Sequence, residues 1–116
     1  MRADMYNDRT ASFHRTLLAV VVALALAGCA ADREYSKGME LVKQGQTAKG
    51  LDNLKRATEL EPQNTRFQVE YLGRLKQTTT ALLEQAGTHI EAGYLPEAEQ
   101  SYQAVIALEP HNAAAQ

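Results

Sequence analysis

The sequence predicts an all-α protein: antiparallel helix hairpins of a short solenoid, with one long central helix, after a cleaved leader. Three observations carry this reading. Residues 43–64, KQGQTAKGLDNLKRATELEPQN, align without a gap on residues 91–112, EAGYLPEAEQSYQAVIALEPHN. Within each stretch, apolar residues recur three or four apart, the spacing of one helix face. Both stretches then stop at Glu-Pro, where the residue before proline is pushed out of the α region. An internal repeat is stronger evidence of architecture than local propensity.

The 116 residues suffice for one small domain. The formal net charge of −2 leaves no basic footprint, so nucleic acid is not an expected partner. A single cysteine, Cys29, excludes a disulfide framework and any multi-cysteine zinc site.

Residues 1–28 read as an address. Arg2, Arg9, Arg15 and His14 outweigh Asp4 and Asp8. Leu17 to Ala27 follows with no polar residue. As a helix this run is about 16 Å long, against roughly 30 Å for a bilayer core. That fits the apolar region of a signal peptide better than a membrane span. Arg15 supplies the flank that holds the N-terminus on the cytoplasmic side. An uncleaved signal anchor, or a cleaved signal with a chance cysteine, is the alternative.

The mature part begins with a helix from about Arg33 to Gln44, with Tyr35, Met39 and Val42 on one side. Gly45 closes it as a glycine free to take positive φ. A second helix runs from about Thr47 to Leu60, with Ala48, Leu51, Leu54 and Thr58 on one face. Asp52–Arg56 and Lys55–Glu59 are opposite charges four apart, each contributing a few tenths of a kcal/mol. Thr65 to Ala92 contains no proline and places Phe67, Tyr71, Leu72, Leu75, Thr79, Leu82, Leu83, Ala86 and Ile90 near helical spacing. As one helix it is about 42 Å long. Its weak point is Thr78-Thr79-Thr80, since β-branched residues lower helix propensity. A last helix is expected from about Leu95 to Leu108, with Pro96 in its first turn and Ala98, Tyr102, Val105 and Ile106 on its apolar side. Residues 113–116 read as the first turn of a further helix, as in a chain that continues.

Two resemblances sharpen this. Leu26-Ala27-Gly28-Cys29 is similar to the bacterial lipobox: an aliphatic residue, two small residues, then cysteine. The resemblance implies transfer of a diacylglyceryl group to the Cys29 thiol and cleavage between Gly28 and Cys29. Residues 29–32 then form the lipidated N-terminus and a short linker. Ala30 and Ala31 follow the cysteine and Asp32 comes too late for an inner-membrane retention signal, which implies an outer-membrane lipoprotein facing the periplasm.

Residues 33–112 resemble tetratricopeptide repeats. Gly45, Gly50, Leu54, Ala57 and Pro62 fit the second half of one repeat. Gly93, Ala98, Tyr102 and Pro110 fit another, with Val105 where alanine is usual, and Gly38 takes the small position of the first helix. Two features depart from the family. Glu34 stands where an aromatic is usual, and the units lie 48 residues apart where the family has 34. The long helix absorbs the difference, so the groove between units is expected to be short or irregular.

No catalytic constellation emerges. His89 and Glu91 do not share a face, and no second His or Cys lies at ligand spacing. His111 reads as a solvated turn residue. Glu59, Glu61, Glu97 and Glu99 read as surface carboxylates. Tyr94 and Tyr102 read as packing or interface aromatics, and Lys43, Lys49, Lys55 and Arg56 as a solvated basic face. No enzyme activity, metal or cofactor is expected. The expected role is binding, by a membrane-anchored module that recruits a protein or peptide partner. Two-unit repeats after a lipobox resemble the N-terminal region of secretin-type proteins of type II secretion and type IV pilus systems. A free-standing accessory lipoprotein, or the non-catalytic start of a larger envelope enzyme, stays open.

Overall fold

The computed structural model describes residues 2–116. The side chains of residues 2–11 and 24–27 lie outside the description, among them Arg2 and Arg9 of the basic flank and Leu26 and Ala27 of the lipobox. The described residues form four helices and no strand: α1 Arg2–Lys43, α2 Thr47–Leu60, α3 Thr65–Glu91 and α4 Leu95–Leu108. The bounds of α2 and α4 are those expected from the sequence. The long helix stops one residue early and does not break at Thr78–Thr80. The first helix departs most. It does not start at Arg33: α1 is continuous from the leader through residues 29–32, so the expected short linker is helical. The chain here is rich in Ala and Leu, the best helix formers, and has no proline before Pro62 to stop it.

α1 and α2 form an antiparallel pair, because contacts climb one helix while descending the other. Gly28 meets Glu61, Glu34 meets Asn53, and Gly38 meets Gly50. The Gly38–Gly50 crossing is so close that a Cβ on Gly38 would lie 2.9 Å from the Gly50 carbonyl oxygen. A Cβ on Gly50 would lie 2.6 Å from Val42 Cγ2. Gly45 closes the pair at φ 78°, where its N–H donates to Val42 O and that of Gln46 to Leu41 O. These are the two closing bonds of a Schellman-type stop.

α3 seats on this hairpin through Phe67, which is buried with Ala31 and Ala57. The Phe67 ring stacks on Tyr35, with centroids 4.9 Å apart. The Arg66 guanidinium lies over both rings and pairs with Asp32 at 3.3 Å. Asn64 caps α3 by accepting from Phe67 N at 3.4 Å, so the cap and the anchoring ring belong to one turn.

α3 and α4 form the second hairpin, and it is built like the first, 48 residues on. Gly93 takes φ 80° and donates to Ile90 O. Asn112 donates to Glu109 Oε2 as Asn64 does to Glu61 Oε2, and Gln116 reaches Pro110 O as Gln68 reaches Pro62 O. Ala31, Gly38, Asn53 and Phe67 are buried, and so are Thr79, Ala86, Ser101 and Ala115 at the matching places. The equivalence thus spans 31–68 and 79–116. The first half of α3 packs on hairpin one and its second half builds hairpin two; with the N-terminal part of α1 projecting from them, the chain measures 87 × 27 × 20 Å.

Some expected core positions move. Asn53 is buried, because α2 packs against both α1 and α3 and its covered arc is wider than one stripe, while Ala48 in the first turn of α2 is exposed. Glu34, in place of the usual aromatic, accepts from the Asn53 side-chain amide. Leu72 and Ile90 are exposed, and Ile106 lies at the edge of burial. Residues 113–114 form a turn, with Asn112 Oδ1 accepting from Ala114 N at 3.1 Å.

Candidate functional site

Two places on this rod carry functional interest: the join at Cys29 and the groove between the hairpins. Cys29 is exposed on α1, one residue after half-buried Gly28 and two before fully buried Ala31. Upstream, α1 has a stretch with mean hydropathy 1.8, long and apolar enough to cross a membrane, and none of it is buried. Leu17, Leu18, Val20, Val21 and Val22 are all at least half exposed to solvent. Downstream of Cys29, every turn of α1 packs on α2 or α3. The cysteine therefore stands at the boundary between an apolar segment whose described residues are exposed and a folded hairpin. In water such a segment is unfavourable by about 25 cal/mol per Å² of apolar surface, and a bilayer removes that surface from water.

The groove follows from the stagger of the two hairpins along α3. It holds about 810 Å³. Val42 and Ala48 line it from the tip of hairpin one, Ala81 and Leu82 from the middle of α3, and Ala104 and Leu108 from α4. Small side chains and the glycine turn at Gly45 leave the space. Two cations, Lys49 and Arg74, stand in its wall without a carboxylate among the lining residues. Glu70 holds Arg74 from outside at 2.7 Å. Exposed Ala48 was expected in the core, and Ala81 and Ala104 carry no signal of their own. The only hint of the groove in the sequence is the excess length of the central helix.

The repeat residues fall where hairpin packing needs them. Gly38 and Gly50 meet at the crossing, Leu54, Ala57, Ala98 and Val105 are buried, and Gly45 and Gly93 hold the left-handed turns. Pro62 and Pro110 are exposed just past α2 and α4, and Tyr102 is half-buried. His89 packs edge-on to Tyr94, 6.4 Å between centroids, and Tyr94 is otherwise open to solvent. The expected pairs Asp52–Arg56 and Lys55–Glu59 form at 2.7 and 3.9 Å. Among the described residues no three His, Cys, Asp or Glu side chains gather where a metal ion would be held.

Comparison of the chain with models of protein families, with curated proteins and with solved structures gives no match.

Proposed function

We propose that the chain is a lipid-anchored protein-interaction module of the bacterial cell envelope, with its folded part a short tetratricopeptide-like solenoid. The observation that carries this reading is the position of Cys29, exposed between an unburied apolar helix and a packed hairpin, in a lipobox-like sequence. Two acyl chains on its thiol hold a protein stably, at about 0.8 kcal/mol per buried methylene, where one chain does not. The glycine crossing at Gly38 and Gly50 and the paired left-handed turns support the solenoid. The groove between hairpins supplies a surface for a protein or peptide partner. Ala30 and Ala31 after the cysteine favour the outer membrane, facing the periplasm.

In a secretin-like setting the module is the periplasmic N-terminal part of a secretion or pilus machine. As a free-standing lipoprotein it helps an outer-membrane complex assemble. Neither role needs catalysis. Continuity of α1 through Cys29 favours a second form of attachment, in which the leader stays as a membrane span.

Metabolic palmitate labelling separates these. The wild-type chain is expected to incorporate label and Cys29→Ala to lose it, with a mature N-terminus at residue 29. Equal labelling of the two proteins overturns the lipid anchor, and an intact N-terminus on an unlabelled membrane protein selects the span.

A further inference from the structure

The join at Cys29 also fixes which end of the rod meets the membrane. Gly28 touches the α2–α3 turn, since a Cβ there would lie 3.0 Å from Glu61 Oε1. Ala31 has 0% exposure, against Ala57 and Phe67. Asp32 pairs with Arg66, whose guanidinium covers the Tyr35 ring. In the lipidated chain, which starts at Cys29, two of the next three positions, Ala31 and Asp32, are thus held by hairpin one or its neighbour α3, which leaves almost no slack tether. From there to Lys43, α1 is locked to α2 by the Gly38–Gly50 crossing.

We propose that the Glu61–Asn64 turn, with Arg66 beside it, is a membrane-contact surface that rests on the lipid headgroups. The proposal builds on the lipid anchor. A lipid on the Cys29 sulfur places that residue at headgroup level. α1 leads away from the bilayer, α2 returns, and the turn after α2 comes back to the level of Gly28. The groove at the other end of hairpin one is then held about 21 Å above the membrane, the rise of α1 from Cys29 to Lys43 at ~1.5 Å per residue. The unburied apolar segment before Cys29 leaves the domain from the same end, so the unprocessed chain puts the same turn at the headgroups. The contact is one of geometry rather than charge. Arg66 stands there with Asp32 and Glu61, so it needs no anionic lipid.

The test uses the lipidated full protein in vesicles of phosphatidylethanolamine and phosphatidylglycerol. Cys29 is blocked by its lipid, so Gln63→Cys and Gln44→Cys each accept one nitroxide. Gln63 lies in the turn and Gln44 at the far tip of the hairpin, and both are exposed. Nickel chelated to lipid headgroups is expected to relax the Gln63 label at least fivefold more than the Gln44 label. The ratio is expected to persist when phosphatidylglycerol is replaced by phosphatidylcholine. Ten Gly-Ser residues inserted after Cys29 are expected to bring it close to one. Equal relaxation of both labels on a protein that mass spectrometry shows to be lipidated overturns the orientation alone. A ratio that survives the insertion also overturns it, because a rigid join is then not its cause. A Cys29 without lipid overturns the anchor; with the leader retained as a span and Cys29→Ser, equal relaxation of the two labels overturns the orientation as well.

Discussion

Glycines in this chain divide by what surrounds them. Gly50 and Gly38 bring two backbones into contact, whereas a Cβ on Gly73, in the first half of α3, meets nothing within 4 Å. Alanine is favoured over glycine inside a helix by about 1 kcal/mol, so Gly73→Ala is expected to raise stability by that amount. At Gly50 the same gain is opposed by a Cβ 2.8 Å from the Gly38 carbonyl oxygen and 2.6 Å from the stiff Val42 side chain. Overpacking of this kind costs about 1–3 kcal/mol, so Gly50→Ala is expected to lower stability. Denaturant titration of both variants checks the opposite signs. Gly38 and Gly50 were legible in the sequence because the repeat pattern marks where small residues sit. The Glu34–Asn53 bond was not legible: in sequence each looks like an ordinary solvated residue, and only the pairing of α1 with α2 brings them together.

Helix α3 shows how an element survives its own weak point. Thr78 and Thr79 both return their hydroxyls to the preceding turn, Thr78 to Arg74 O at 2.8 Å and Thr79 to Leu75 O at 3.1 Å. Threonine donates such bonds within a helix at a small cost in helix stability. Here Thr79 is also buried, at the place in hairpin two that Ala31 fills in hairpin one. Burial of Thr79 thus holds the helix through a stretch that propensity alone marks as a break. A proline at 79 removes an N–H and clashes with the Leu75 carbonyl, at ~3 kcal/mol or more. Thr79→Pro is expected to split a single thermal transition, followed by circular dichroism, into two. The extents of α2 and α4 were readable because Pro62 and Pro110 end them by local sterics. The start of α1 was not, because a helix that runs from leader into domain has no stop signal to read.

The packed part of the molecule is one 48-residue unit used twice and joined through α3. Each unit comprises a helix pair, a Glu-Pro-x-Asn turn and the residues just past that turn, and α3 belongs to both units. Stability in such arrays is close to a sum of units and their interfaces. A second copy of residues 69–116 placed after Gln116, with Ala115→Phe to restore the anchoring ring of Phe67, is expected to form a third hairpin. Helical ellipticity should rise in proportion to the added α3-like and α4-like segments, and the melting temperature should rise with it. An extension that adds residues without adding ellipticity would count against the 48-residue unit. The period itself was visible in the sequence. Its consequence, a stagger that opens a groove, was not, because it depends on where the second hairpin sits along α3.

Under the proposed lipid anchor, the helix through Gly28 and Cys29 imposes an order on the life of the chain. A peptidase takes the backbone at the cut in extended form, and a closed helical turn pinned by Ala31 withholds it. Phe67, which completes the pocket around Ala31, is 38 residues further along. At about 5–20 residues made per second, it emerges roughly 2–8 s after the cysteine. Maturation has that interval in which to reach the bond, and the arrival of α3 closes it.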